Sequence, residues 1–198
     1  MAAGRIKERA RRFLRPVAQL VADLGIPPSA ITFAGLILSV LAGWSVATGH
    51  FPRAGILLAL AGICDMIDGA SARAGNRVSS RGAFLDSTVD RYSEIVVLLG
   101  ALVYYLVRSP RSPEILTAAV VFLAAGGSLM VSYTRARAEA VGTSCEVGWA
   151  ERPERVVILI IGALLGRNVF RIAIWILAAL SHITALQRLR HVMARVKI

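Results

Sequence analysis

Cysteine, histidine and acidic residues are all scarce in this sequence. Its 198 residues include 2 cysteines and 3 histidines, and 12 acidic residues face 23 lysines and arginines. Cys64 and Cys145 form neither a CxxC pair nor a set large enough for a disulfide-stapled fold, so we interpret them as free thiols. The histidines are isolated from one another. The sequence therefore argues against a disulfide scaffold and against a zinc site built from cysteine and histidine.

Charged residues of either sign are few beside the apolar ones. They make up 18% of the chain, against 56% hydrophobic residues and a mean hydropathy of +0.64. This is too apolar for an ordinary soluble domain. The formal net charge of +11 would suit nucleic acid, but beside long apolar runs it favours an anionic membrane surface or a phosphorylated ligand. We therefore expect membrane lipids as partners and no nucleic acid.

Long apolar runs follow a basic start. Residues 1–15 are basic with a few apolar points, which predicts an amphipathic helix on the membrane surface; a disordered basic tail is the alternative. We expect one membrane domain over 1–198, with a juxtamembrane segment at 1–28 and an all-α bundle of six transmembrane helices at 29–198. The predicted spans cover residues 29–48, 52–74, 82–107, 114–138, 153–166 and 169–189.

Basic residues are distributed unevenly between the two ends of this predicted bundle. Six spans put both termini on one side of the membrane, together with the loops after the second and fourth spans. That side holds 18 of the 23 lysines and arginines. Because basic residues are retained in the cytoplasm, we predict a cell-membrane protein whose termini and second loop are cytoplasmic.

Four of the five aspartates lie in one short stretch, 65–90. Asp65 and Asp68 are three residues apart, and Asp86 and Asp90 are four apart, so each pair shares a helix face. Where the second and third helices meet, the four carboxylates would repel one another and lose hydration, and they need a positive partner. Mg²⁺ or Mn²⁺ suits them, and two such ions would suit transfer of a phosphoryl-type group.

Two other interpretations of these aspartates are open at this point. The carboxylates could pair with arginines and lock a membrane scaffold, or they could mark the cation or proton path of a transporter. A transporter would need polar groups along the rest of the bundle. The outer halves of the second and third spans, residues 55–62 and 96–106, are apolar.

The stretch from Asp65 to Asp90 reads D-x2-D-G-x2-A-R-x8-G-x3-D-x3-D. All eight fixed positions and all spacings resemble the signature of the CDP-alcohol phosphotransferase family. The resemblance implies a homodimeric enzyme in which the hydroxyl of an acceptor alcohol attacks a CDP-linked lipid at the phosphorus next to the lipid, and CMP leaves. It implies that Asp65, Asp68, Asp86 and Asp90 hold two Mg²⁺ or Mn²⁺ ions, with Asp90 also the general base. The residues that it implies at the CDP-lipid are Thr32, Gly69, Ala72, Arg73 and Gly82.

Arginines outside the signature predict the kind of acceptor. They cluster at the cytoplasmic ends of the last three spans, where they suit a second phosphate group; the alternative is that they only follow the positive-inside rule. The stretches SYTRARAEAVG and GWAERPER also resemble prokaryotic phosphatidylinositol phosphate synthases, which use inositol 1-phosphate. Ser71 stands where those enzymes often have an acid, so glycerol 3-phosphate is the alternative acceptor. The residues that this resemblance implies at the acceptor phosphate are Ser132, Arg135, Arg137, Arg155 and Arg195.

Overall fold

Helices make up nearly all of the chain that the structure describes. The structure is a computed structural model, and it describes residues 16–75, 77–108 and 112–195. Residues 16–23 are helical, and no β-strand occurs in these ranges; the amphipathic helix predicted for residues 1–15 lies outside them. The long helices are α1 (Pro28–Ala47), α2 (Phe51–Ala74), α3 (Ser80–Val103), α4 (Ser112–Ala140), α5 (Arg152–Leu164) and α6 (Arg167–Met193).

Local sequence signals mark where several helices begin. Pro28, Pro52 and Pro153 lie in the first turns of α1, α2 and α5. Backbone N–H groups in a first turn have no acceptor within the helix, so proline costs no hydrogen bond there. The Ser79 hydroxyl caps α3 by accepting a hydrogen bond from the Gly82 N–H at 3.1 Å. Each predicted span therefore corresponds to one helix, with ends that differ by a few residues.

Four of the six helices are long and apolar enough to cross a membrane: α1, α2, α4 and α6. Helix α3 carries acidic and basic side chains in its first half, and α5 has only 13 residues. The predicted all-helical fold is confirmed, and the apolar helices are those of an integral membrane protein. That all six helices span the bilayer stays a prediction.

The helices pack as two groups joined by α5 and by a contact between α3 and α4. Helix α1 lies against α2 and α3, α4 lies against α6, and α5 contacts both α2 and α6. Helices α1 and α3 approach so closely that their backbones are in contact. A Cβ added to Gly100 would lie only 2.1 Å from the carbonyl oxygen of Gly43. Small residues allow this approach, as in many membrane bundles. Because α2 and α3 both pack against α1, their aspartates approach one another. The cysteines are free thiols, as predicted.

Candidate active site

Three of the four aspartates form a compact carboxylate cluster. Asp65 and Asp68 project from α2 and Asp86 from α3, and one oxygen of each lies within 4.8 Å of the other two. Asp68 is 5% exposed and the other two are half-buried. The spacing of three along α2 places its two carboxylates on one face, and the packing of α3 supplies the third. The structure thus brings together residues that the sequence separates by up to 21 positions.

Thr32 and Arg152 compensate part of this negative charge. The Thr32 hydroxyl donates to Asp68 Oδ2 at 2.8 Å. Arg152 Nη1 donates to Asp65 Oδ1 at 2.8 Å, and its Nη2 lies 2.6 Å from Asp90 Oδ1. Asp90, which is 8% exposed, is therefore next to the cluster and shares a cation with it.

The carboxylate oxygens that remain fit a divalent cation. Asp86 Oδ1 is buried and has no hydrogen-bond partner within the described part of the chain. A buried oxygen of this kind is costly unless it has a positive partner. Carboxylates at this separation form the hard oxygen-ligand set that Mg²⁺ and Mn²⁺ prefer. The cluster is therefore suited to bind such an ion.

A cavity of about 1020 Å³ opens beside the carboxylate cluster, between α1, α2, α3 and α5. All four aspartates line one part of it, together with Thr32. Apolar side chains line the rest, among them Leu58, Val97, Leu159 and Ile160. A ligand that matches this lining has a charged head and a long apolar body.

Three of the five residues predicted at the CDP-lipid line this cavity: Thr32, Gly69 and Arg73. Gly69 leaves its backbone open beside the Arg73 guanidinium, whose Nη1 lies 3.5 Å from the place that a Cβ would take. Ala72 is half-buried and Gly82 is exposed in the first turn of α3, and neither is among the residues that line the cavity. The structure thus places three of the five predicted residues at the cavity, and the other two outside its lining.

The predicted acceptor residues are more dispersed. Arg135 is exposed near the end of α4, and its Nε donates to Glu139 Oε1 at 2.9 Å. Arg137 and Arg195 are also exposed, at the ends of α4 and α6. The half-buried Ser132 donates to the Ser128 carbonyl at 3.4 Å. These positively charged ends lie outside the cavity lining.

Arg155 is engaged in a buried ion pair. It is 0% exposed; its Nε and Nη2 donate to the two carboxylate oxygens of Glu94 at 2.8 and 2.9 Å, and its Nη1 donates to the Ala150 carbonyl at 3.1 Å. Ser128 also donates to Glu94, at 2.9 Å. The guanidinium thus joins α3, α5 and the end of the loop before α5. Its predicted contact with an acceptor phosphate stays a prediction.

Arg152 and Glu94 are site residues that the sequence interpretation missed. Glu94 continues the four-residue spacing of Gly82, Asp86 and Asp90, and that signal would have placed it on the same face of α3. Arg152 stands in the same stretch as Arg155, but its partners are 62 and 87 residues away in sequence, so no local pattern indicates them.

A helical membrane bundle with carboxylates at the head of an amphipathic cavity suits a membrane enzyme whose ligand has a charged head and an apolar body. The sequence profile of the CDP-alcohol phosphatidyltransferase family matches residues 26–185, and the chain belongs to this family. The resemblance seen in the signature is thereby confirmed, and the chain is an enzyme of a family that depends on divalent metal ions.

Several relatives cover almost the whole chain. Archaetidylinositol phosphate synthase of Pyrococcus horikoshii is 37% identical over 196 residues, which is 98% of each chain. Phosphatidylinositol phosphate synthase of Corynebacterium glutamicum is 39% identical and covers 92% of this chain and 85% of its own. Both are similar to this protein along the signature and beyond it.

Solved structures show the same similarity in three dimensions. The Mycobacterium tuberculosis phosphatidylinositol phosphate synthase with CDP-DAG bound superposes with a TM-score of 0.84 at 29% identity, over 94% of this chain and 98% of its own. The same enzyme in complex with manganese and citrate has a TM-score of 0.82, over 92% of each chain. The all-helical fold of this chain is therefore similar to that of an experimentally determined member of the family.

Proposed function

We propose that the protein transfers a phosphatidyl-type group from a CDP-linked lipid to inositol 1-phosphate, giving a phosphatidylinositol phosphate and CMP. The donor is CDP-diacylglycerol or its archaeal counterpart. The observation that carries the proposal is the cavity, because it combines a carboxylate cluster and Arg73 with a long apolar wall. The names of the relatives, which are inositol phosphate lipid synthases of both lipid types, support the acceptor.

The four aspartates would hold two Mg²⁺ or Mn²⁺ ions, which would offset the negative charge of the diphosphate and of the departing CMP. Asp65, Asp68 and Asp86 supply the clustered oxygens, and Asp90 lies at the edge of that cluster. Thr32 orients Asp68 through its hydrogen bond. Arg73, at the cavity wall beside Gly69, binds a diphosphate oxygen of the donor.

Asp90 accepts the proton of the acceptor hydroxyl in this proposal. The hydroxyl oxygen forms a bond to the phosphorus next to the lipid, and the bond from that phosphorus to the CMP oxygen breaks, with the electron pair leaving on CMP. The buried position of Asp90 beside the cavity supports the role.

The acceptor phosphate binds, in this proposal, at the positive ends of α4, α5 and α6. Exposed Arg135 and Arg137 and the hydroxyl of Ser132 provide its donors on α4, and Arg195 adds charge after α6. Arg155 shapes the same region, because it ties the loop at Ala150 to Glu94. We also propose the six-span arrangement with cytoplasmic termini, the surface helix at 1–15, the single domain over 1–198 and a homodimer.

The test is CMP release by the purified protein from CDP-diacylglycerol with Mg²⁺ or Mn²⁺, with inositol 1-phosphate, glycerol 3-phosphate or free inositol in parallel. We expect CMP release when inositol 1-phosphate is the acceptor and not with the other two acceptors. EDTA should abolish this release. Release only with glycerol 3-phosphate would overturn the acceptor and leave the reaction type intact. If no acceptor supports release from either a diacyl or an archaeol donor, the transfer reaction itself is wrong, and a transporter or a scaffold takes its place.

A further inference from the structure

Through its side chain, Arg152 forms ion pairs with two of the aspartates at once. It is the first residue of α5, and its two terminal nitrogens reach Asp65 on α2 and Asp90 on α3 at 2.8 and 2.6 Å. Its side chain is 22% exposed and lines the same cavity as both partners. Its Nε is buried and has no hydrogen-bond partner in the described ranges. Arg152 is thus firmly held at one end and keeps an unused donor at the other.

The same carboxylates are the proposed metal ligands, and this sets up a conflict. A divalent ion bound by Asp65 and Asp90 draws on the oxygens that now accept from Arg152. The ion would also bring two positive charges within a few ångströms of the guanidinium, where repulsion is strong in a partly dry site. Arg152 and a metal ion therefore cannot both make their best contacts with these two aspartates.

We propose that Arg152 is a built-in counter-ion that competes with the divalent metal for Asp65 and Asp90, and that the guanidinium, once displaced, binds a phosphate oxygen of the donor. The inference rests on the proposed metal site. The displaced side chain remains in the cavity, because Pro153 and the start of α5 fix its backbone. A phosphate oxygen would satisfy the Nε that the carboxylates leave unpaired.

A permanent structural role for Arg152 makes the opposite prediction for metal binding. If the arginine only ties α5 to α2 and α3, then its removal loosens the carboxylates and weakens the binding of the metal. If it competes, its removal strengthens the binding of the metal and weakens that of the nucleotide. The two ligands therefore respond in opposite directions only under the proposal.

The experiment measures Mn²⁺ binding to the full-length protein in detergent, by electron paramagnetic resonance of free Mn²⁺, for the wild type, Arg152→Gln and Arg152→Lys. Arg53→Gln is the control, because it removes the same charge from an exposed position at the other end of α2. We expect Arg152→Gln to lower the Kd for Mn²⁺ about tenfold, because the ion no longer has to break a charged hydrogen bond between Arg152 and the aspartates. Arg53→Gln should leave it within about twofold.

Binding of CMP at saturating Mn²⁺ is the second readout. It should weaken several-fold in Arg152→Gln, because the phosphate loses a donor. An unchanged or higher Kd for Mn²⁺ in Arg152→Gln would overturn the proposal. If that variant does not fold, Arg152→Lys decides: its single ammonium cannot bridge both aspartates as the guanidinium fork does, so its Kd for Mn²⁺ should also fall, by less.

The failure of the metal site and the failure of the competition give different results. If the wild type binds no Mn²⁺ that Asp86→Asn removes, the proposed metal site is wrong, and the proposal falls with it. If Asp86→Asn removes Mn²⁺ binding but neither Arg152 variant tightens it, only the role of Arg152 is overturned. Circular dichroism of each variant establishes that the helices are retained.

Discussion

Asp90 differs from the other three aspartates in its surroundings. Asp65, Asp68 and Asp86 form a cluster that could hold a metal ion between their carboxylates. Asp90 lies beside this cluster, is 8% exposed and contacts the Arg152 guanidinium. Asp90 and Arg152 both line the cavity, which gives an acceptor hydroxyl a way to reach the Asp90 carboxylate. We propose that Asp65, Asp68 and Asp86 bind metal and that Asp90 also accepts the proton, and this separation of roles can be tested at a single position.

We expect Asp90→Asn to lower turnover by roughly 10²- to 10⁴-fold, because the amide keeps the shape of the side chain but cannot accept the proton. The measurement is CMP release at saturating substrates, with Mn²⁺ affinity recorded in parallel. Asp23→Asn is the control, since Asp23 is exposed and accepts a hydrogen bond from Gln19 at 3.3 Å, outside the cavity. Normal turnover in Asp90→Asn would show that this carboxylate is not the base.

Arg155 was predicted to bind the acceptor, and its buried pair with Glu94 gives that prediction a mechanism to test. Lysine at this position keeps the charge but cannot bond both Glu94 oxygens and the Ala150 carbonyl at once. We expect Arg155→Lys to raise the KM for the acceptor more than the KM for the CDP-lipid. Arg53→Lys, at an exposed position, should leave both KM values unchanged. An equal rise in both KM values would mean that the pair only holds the helices together.

Some of these side chains could be predicted from sequence and others could not, for a physical reason. A helix repeats every 3.6 residues, so the spacing of the aspartates alone places them on two faces. The ion pair of Arg155 with Glu94 spans 61 residues, and that of Arg152 with Asp65 spans 87. Such pairs depend on how the tertiary fold places the start of α5 near α2 and α3, and no local spacing carries that information.

The helices themselves were predictable to within a few residues, and the exceptions lie where polar and apolar signals conflict. Prolines mark the starts of α1, α2 and α5, so these ends were readable. Helix α3 ends at Val103 and continues as a π-helical turn, Tyr104–Arg108. The predicted span ran on to residue 107 because this turn is as apolar as the helix before it. Hydropathy does not distinguish an α-helical turn from a π-helical one.

The contact between α1 and α3 depends on glycine more than on any large side chain. A Cβ on Gly100 would meet the backbone of Gly43, which cannot move aside without separating the two helices. We expect Gly100→Ala to destabilise the protein by about 1–3 kcal/mol, measured by thermal unfolding in detergent. Gly126→Ala in α4 is the control: nothing lies within 4 Å of its new methyl group, so it should be neutral or slightly stabilising. Equal stability of the two variants would contradict the close contact.

The basic residues and the carboxylate cluster lie at the same end of the predicted bundle. Most of the basic residues fall at one end of the predicted bundle, and the carboxylate cluster lies at that same end of α2 and α3. Helix α3 carries its charges in the half that lines the head of the cavity, and α5 begins with Arg152 at the same level. Helix α3 is less apolar than the other long helices because its charges belong to the site, and α5 is short, with 13 residues. Both contribute residues to the head of the cavity, and this is our reason to propose that they span the bilayer with the other four.

Labelling from one side of the membrane separates six spans from four. The background is Cys64→Ser with Cys145→Ser, and single cysteines replace exposed residues: His50 after α1, Arg108 after α3 and Ser144 after α4. With six spans and cytoplasmic termini, a membrane-impermeant maleimide added to intact cells labels positions 50 and 108 but not 144. If only α1, α2, α4 and α6 cross, position 50 is still labelled, but 108 lies inside and 144 outside. Labelling of 144 without 108 would overturn the six-span proposal and would move the Arg135 region away from the carboxylate cluster. Labelling of 108 without 144 would keep the acceptor site and the cluster on the cytoplasmic side, where CDP-linked lipids and soluble sugar phosphates can meet.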